Sequence, residues 1–550
     1  MVLKEGSEYN ILGIIGGEHS SGIAYFEKGE LKVVLEEERI IRQKSYKDFE
    51  AGYFRYPLGG LTDLIVRHNV DLSKVDYFTS FWNYETIKII LKNTVGFDLL
   101  EEKYIKIDHH LAHSATAYYL SGFEDDTLIV AIDGSGEYHS AQYYVGSKGN
   151  LRYIDGIELT RDSLGLFYAA ITELLGFKRL KDEGKVVGMA GHGELWPELY
   201  KAWSKVIQID GLKTEISDFH NPHDKAGGNV FKKTFNQFFG LVGAEYWKKN
   251  STIQNIAYTG QLVFEEKVLQ IINNLHAKYP EVKNIALAGG IFANVKLNQK
   301  INELPWVNEM FVAPPMGDEG CAFGAAILGA LELGEWKHKP IHDVFFGPEY
   351  SEEECDIESK NWEVEVVKDF IDYNLLSDLV IDKKVIAIHY GKLEFGPRAL
   401  GNRSVVMETT DENNHSYLNK RFGRSETMPF APIVLKSKAK EVFDIKNSEF
   451  AAEFMTICYN TKEEWIDKIP AVIQKSDKTA RPQLVIKDKH PIFYNLLKEY
   501  YNKTGIPVLL NTSFNGHGEP IVNTPAEAFA HLEKGSIDYL LIGNKIYKKK

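Results

Sequence analysis

Two histidines four residues apart, His109 and His113 in the run DHHLAHSATAYYL, project from one face of an expected helix at the separation of metal ligands. His110, between them, points elsewhere. A helical HxxxH pair arises easily by chance, and its plain alternative is a pair of satisfied core or surface histidines. Two carboxylates strengthen the metal reading: Asp133 ends the buried strand TLIVAID, and Asp318 sits in the Gly-rich turn of PPMGDEG. Two imidazoles and two carboxylates suit iron, manganese or zinc better than magnesium, which prefers oxygen. The motif is not HExxH, so the general base of a metalloprotease is missing. The three cysteines, Cys321, Cys355 and Cys458, lack CxxC spacing, so any metal is expected to use histidine and carboxylate.

Glycine-rich turns surround these residues. Gly134, Ser135 and Gly136 follow Asp133, GEHSS follows the first strand, and the pair Gly289 and Gly290 opens a helix. Free amides in paired turns can clamp a triphosphate, whereas any one of them alone reads equally as a hairpin turn. His19, inside GEHSS, has a side chain suited to taking a proton from a hydroxyl, with a solvated turn histidine as the alternative. Gly324 to Ala326 read as a close helix contact. Farther on, Arg398, Arg403, Lys420, Arg421, Arg424 and Arg481 gather in turns, and Asn511, Thr512 and Ser513 add neutral donors. Such a cluster suits a phosphate or carboxylate ligand, although a surface salt bridge is the better reading for Arg421.

The elements that would hold these residues repeat. Strand, Gly-rich turn, strand, tight turn and strand run through ILGIIG, GIAYFE and LKVVLEE, and the same order returns in TLIVAID, SAQYYVG and LRYIDGI. The fold expected is α/β, with a duplicated actin-like amino-terminal domain over residues 1–350. A charged, turn-rich stretch around 346–355 reads as a linker to a second α/β domain over 351–550. A chain of 550 residues, 44% apolar and 26% charged, fits two folded domains. The net charge of −13 speaks against stable nucleic-acid binding, and the closing YKKK reads as a solvated tail. Neither a leader nor a membrane span is apparent, so a soluble, cytoplasmic protein is expected. A homodimer stays open.

The chain resembles the NodU/CmcH-type O-carbamoyltransferases, the family that includes the tobramycin carbamoyltransferase. The resemblance is carried in order by EHSSGIA, LEEER, DHHLAHSATAYY, IDGSGE, SLGLFYAAITELLGF with DEGKVVGMA, LAGGIFAN, PPMGDEGCAFGAA, EFGPRALGNRS, TMPFAP, DKTARPQ and NTSFNGHGEPIV. It implies a Kae1/TsaD-like (ASKHA) domain followed by a YrdC-like domain. The second would bind carbamoyl phosphate and release carbamate. ATP would capture this as carbamoyl adenylate, and the first domain would pass the carbamoyl group to a hydroxyl of a small acceptor such as an antibiotic, a sugar or a nucleoside.

On the matching motifs, His109, His113, Asp133 and Asp318 would be the metal ligands, with Fe2+ the usual ion, and His19 the base. Gly134, Ser135, Gly136, Lys185, Gly289, Gly290, Asn294 and Glu319 would bind ATP. Arg398, Lys420, Arg424, Arg481, Asn511 and Ser513 would bind carbamoyl phosphate. Met428 departs from the family, which often has arginine before PFAP, and this weakens the case for Lys420 and Arg424. Residues 201–252 resist matching, and acceptor specificity is expected there. A threonylcarbamoyl-type tRNA-modifying transferase and a non-catalytic ATP-binding scaffold are the competing readings.

Overall fold

A computed structural model describes residues 9–17, 20–44, 56–158, 162–216, 252–334, 343–424 and 429–550. His19 and Met428 lie outside the described residues, as does most of the stretch 201–252.

Three short strands, β1 (Ile11–Ile15), β2 (Gly22–Glu27) and β3 (Glu30–Glu36), form an antiparallel meander, extended by the parallel strands β4 (Tyr77–Ser80) and β5 (Tyr104–Lys106). The second half repeats this arrangement. Here β6 (Thr127–Ile132), β7 (Ala141–Ser147) and β8 (Asn150–Ile157) are the meander; past the small hairpin β9 (Ile207–Asp210) and β10 (Lys213–Ile216), β11 (Asn284–Ala288) and β12 (Glu309–Val312) add parallel strands to β6. Even the turns agree. Lys28-Gly29 and Lys148-Gly149 both take positive φ, 50° and 77° against 49° and 78°, as two-residue hairpins require. The amino-terminal part is therefore a duplicated, actin-like α/β fold, as its repeated strand pattern predicts.

In β1 the side chains alternate: Leu12 and Ile14 pack with the helices Leu58–Val66 and Tyr84–Val95, while Ile11 and Ile15 face the centre between the two sheets. Two helices fill that centre, and they are exchanged. His109–Ser121, which follows the first sheet, packs on β6, β7 and β11; Cys321–Glu332, which follows the second, packs on β1, β2 and β4. They touch each other where the small residues lie. A Cβ at Gly324 would stand 2.0 Å from the Ala112 carbonyl oxygen and 2.6 Å from Thr116 Oγ1. Gly324→Ala is thus expected to push the helices apart and to lower stability by about 1–3 kcal/mol, the usual cost of overpacking. A thermal-unfolding curve checks this, and an unchanged midpoint would count against so tight a crossing.

The carboxy-terminal part is built on an eight-stranded mixed sheet. From the third strand to the far edge, in spatial order, it runs Tyr539–Ile542, Ile386–His389, Arg403–Met407, Val508–Ser513, Ala431–Leu435 and Gln483–Val485. The stretch read as a linker is more ordered than its composition suggests: Ser351 and Glu354 form a reciprocal capping box that starts a helix over Glu352–Ser359. Among the described residues, no helix is long and apolar enough to cross a membrane.

Candidate functional site at the crossing of the central helices

Asp108 starts the histidine helix by accepting the Leu111 amide at 2.9 Å, and Gly122 ends it in the left-handed region. The helix is buried on nearly every side, so its histidines need polar partners inside the protein. Asp318 supplies one, with Oδ1 3.1 Å from His109 Nε2 and 3.3 Å from His113 Nε2. Asp133 supplies another, its Oδ2 3.4 Å from His113 Nε2 and 3.9 Å from His109 Nε2. The two Nε2 atoms are themselves 3.1 Å apart. All four predicted ligands converge, from both halves of the duplicated fold.

A fifth group was missed. Cys321, dismissed for want of CxxC spacing, offers a sulfur within 4.8 Å of donor atoms of His109, His113 and Asp318. Its signal was the helix start in GDEGCAFG, which brings position 321 back toward 318. Burial pushes the Cys321 thiol up to about 12, so as a thiol it is a weak donor. Burial opposes charge on His113, but its interaction with Cys321 and the hydrogen bonds it donates to the Asp133 and Asp318 carboxylates outweigh it and raise its pKa well above the usual histidine value. A place where the protein itself stabilises positive charge among two imidazoles and two carboxylates fits a divalent cation, which would displace that proton. His110 is outside that donor group: burial keeps it neutral, its ring beneath Gly136 and beside His109.

A cavity of about 740 Å³ opens over this cluster, a size typical of small-ligand sites. His109 stands in its wall, stacked on Phe81 with ring centres 4.6 Å apart, whereas His113 is sealed off beneath. Gly134, Ser135, Gly136, Gly290, Asn294 and Glu319 line the cavity as well. The Gly290 amide donates to Asp133 Oδ1 at 3.0 Å, joining the two turns. Gly289, by contrast, is pressed against the Ile132 backbone at φ 100° and serves the bend itself. Lys185 is exposed and paired with Asp182 at 2.9 Å, while its neighbours Glu183 and Gly184 reach the cavity. Ser20, next to His19, lines the wall and donates to Glu319 at 3.3 Å.

From the carboxy-terminal part, Pro397 and Arg398 complete the cavity. Asn511 lies behind them, its amide donating to Ala399 O at 3.0 Å and its buried Oδ1 without a hydrogen-bond partner among the described residues. Arg481 is half-buried between the strands Thr479–Ala480 and Gln483–Val485, and Ser513 ends a central strand, half-buried. The other cations are not equivalent to these. Arg424 donates to Thr512, to the carbonyls of Ser513 and Asn515 and to Asn515 Oδ1, bracing that turn. Lys420 is exposed at the end of the helix Asn414–Arg421, a helix where the sequence suggested a turn. Arg403 is wholly buried and spends its guanidinium on carbonyls, those of Tyr390, Gly391 and Asn402 among them. Arg421 pairs with Asp538 at 2.9 Å, the ordinary salt bridge expected of it.

Comparison with known proteins finds two family models along the chain. The family model described as carbamoyltransferase N-terminus matches residues 80–327, and that described as carbamoyltransferase C-terminus matches 377–549. The uncharacterised protein MJ1051 of Methanocaldococcus jannaschii is 33% identical over 561 residues, covering 98% of this chain and 99% of its own. MJ1058 of the same organism is 34% identical over 80% of this chain and 73% of its own. Nodulation protein NolNO of Sinorhizobium fredii is 29% identical over 84% of this chain and 66% of its own. Among solved structures, full-length HypF in its phosphate- and nucleotide-bound form aligns over 61% of this chain and 57% of its own, at 13% identity and a TM-score of 0.35, too distant to bear on the site. With both family parts in order and a relative one third identical along almost its whole length, the chain belongs to the carbamoyltransferase family of enzymes.

Proposed function

We propose that the protein is an ATP-dependent O-carbamoyltransferase that uses carbamoyl phosphate and a small hydroxylated acceptor. Carbamoyl phosphate and water give carbamate and phosphate; carbamate and ATP give carbamoyl adenylate and pyrophosphate; the adenylate and the acceptor hydroxyl give a carbamate ester and AMP. Residues 351–550 carry the first step, with Arg398, Arg481, Asn511 and Ser513 as donors to the phosphate. Lys420 and Arg424 are outer members of that set. Residues 1–350 carry transfer.

The observation that supports this reading most is the single cavity shared by His109, Asp133, Asp318, two glycine turns and Arg398. Amides of Gly134, Ser135, Gly136 and Gly290 would take phosphate oxygens, with Asn294 and Glu319 beside them. Gly289 shapes that turn, and Lys185 would have to leave Asp182 to join. His109, His113, Asp133 and Asp318 would hold a divalent cation, Fe2+ on the family's pattern, which when bound neutralises charge on the triphosphate and leaving group. His19 would accept the acceptor's proton. Carbamate is short-lived in water, and a cavity bordered by both parts limits its loss.

Labelled carbamoyl phosphate, incubated with ATP, ferrous iron and a panel of hydroxylated acceptors, should yield AMP together with a labelled acceptor. Absence of AMP under all of these conditions would overturn the proposal.

A further inference from the structure

The turn that brings Arg398 to the cavity is held from outside its own part of the chain. Both polar groups of the Gly396 backbone are engaged by side chains of the segment LEEER: Arg39 Nη2 donates to the Gly396 carbonyl at 2.8 Å, and the Gly396 amide donates to Glu36 Oε1 at 3.3 Å. Arg39 Nε and Glu36 Oε2 are joined at 3.2 Å, so the two side chains form one bracket. The opposite side of Gly396 lies against the loop that leads to Asp318. At φ 106°, any Cβ placed there would sit 2.9 Å from the Pro314 carbonyl and from Pro315 N. One residue is therefore clamped between LEEER and the loop of Asp318 and Glu319, two positions before Arg398.

Arg39 is 3% exposed and Glu36 8%. A buried ion pair rarely stabilises a fold better than apolar packing, so its value here is geometric. We infer that Glu36 and Arg39 are positioning residues, which fix Arg398 against the Asp318 loop and so couple release of the carbamoyl group in one part to its activation in the other. The inference rests on the proposed carbamoyl transfer. Arg42 supplies a contrast: it also reaches the carboxy-terminal part, donating to Ile521 O at 2.6 Å and Pro520 O at 3.0 Å and pairing with Glu527, and none of these polar partners belongs to the 394–398 turn.

The test compares the full-length parent with Arg39→Gln, Arg39→Lys, Glu36→Gln and Arg42→Gln, all loaded with ferrous iron. Pyrophosphate formed per phosphate released from carbamoyl phosphate should fall about tenfold in Arg39→Gln and Glu36→Gln, over and above any slowing of phosphate release that displacing Arg398 brings. Lysine, a point charge, cannot bridge the carboxylate and the carbonyl as the guanidinium fork does, so Arg39→Lys should uncouple too. Arg42→Gln should keep the parent's ratio. Hydrogen exchange of the peptide spanning 394–402 gives an activity-independent readout, faster in the Glu36 and Arg39 variants and unchanged in Arg42→Gln. Unchanged exchange, an unchanged ratio, or an Arg42 variant that behaves like the others overturns the inference. A parent that forms no pyrophosphate sinks the reaction scheme instead, and the exchange data then decide alone whether the bracket holds the turn.

Discussion

Replacing His109 with alanine is expected to strip the bound metal and transfer activity together. His109 Nε2 is 3.1 Å from Asp318 Oδ1 and 3.1 Å from His113 Nε2, so its removal takes from Asp318 one of the two imidazoles beside it among the described residues. The loss should be about 10²- to 10³-fold in kcat, the scale of deleting one preorganised charge contact from a sheltered site. His110→Gln is the informative companion. That ring is buried too and lies beside His109, with centroids 5.3 Å apart, but its nitrogens are not among the donor atoms that converge, so the variant should retain metal. Metal content per chain after anaerobic loading with ferrous iron, measured beside AMP formation, separates the two. Full metal occupancy in His109→Ala would remove the ligand assignment.

Arg481→Ala should act on the other substrate. Gln483, two residues on, donates to Leu400 O at 2.8 Å, and Asn511 donates to Ala399 O, so the Arg481 strand and the Arg398 turn share one frame. Loss of the guanidinium is expected to lower kcat/KM for carbamoyl phosphate roughly 10- to 100-fold, the range for a hydrogen-bonded charge. Nucleotide binding, proposed for the glycine turns that line the cavity, should remain, and calorimetric titration with ATP checks it. Equal loss toward both substrates would mean that the two parts do not divide the work.

Local pattern made much of this legible. The duplicated meander follows from β-branched runs and Lys-Gly turns, and the convergence of His109, His113, Asp133 and Asp318 follows from helical spacing, one strand end and a glycine-rich turn. What stayed hidden was set by contacts far apart in the chain. Nothing in the neighbourhood of LEEER says that Arg39 meets Gly396, because that contact spans 357 positions. Residue type alone also failed to sort the arginines: Arg398 reaches the cavity, whereas Arg403 satisfies carbonyls and Arg424 braces a turn. Cys321 is not legible from cysteine spacing, because the start of its helix, three positions after Asp318, decides where its sulfur lies.

The exchange of the two central helices carries a cost during synthesis. The apolar face of β1 and β2 is covered by Cys321–Glu332, which is made some three hundred residues later. At ~5–20 residues per second, the emerging amino-terminal sheet waits roughly 15–60 s for its cover. During that interval a nascent chain displays Ile11, Ile15, Ala24 and Phe26 with nothing from its own second half to bury them. Ribosome-associated chains halted before residue 321 should therefore be a favoured target for holding chaperones, and those halted well past 332 should not.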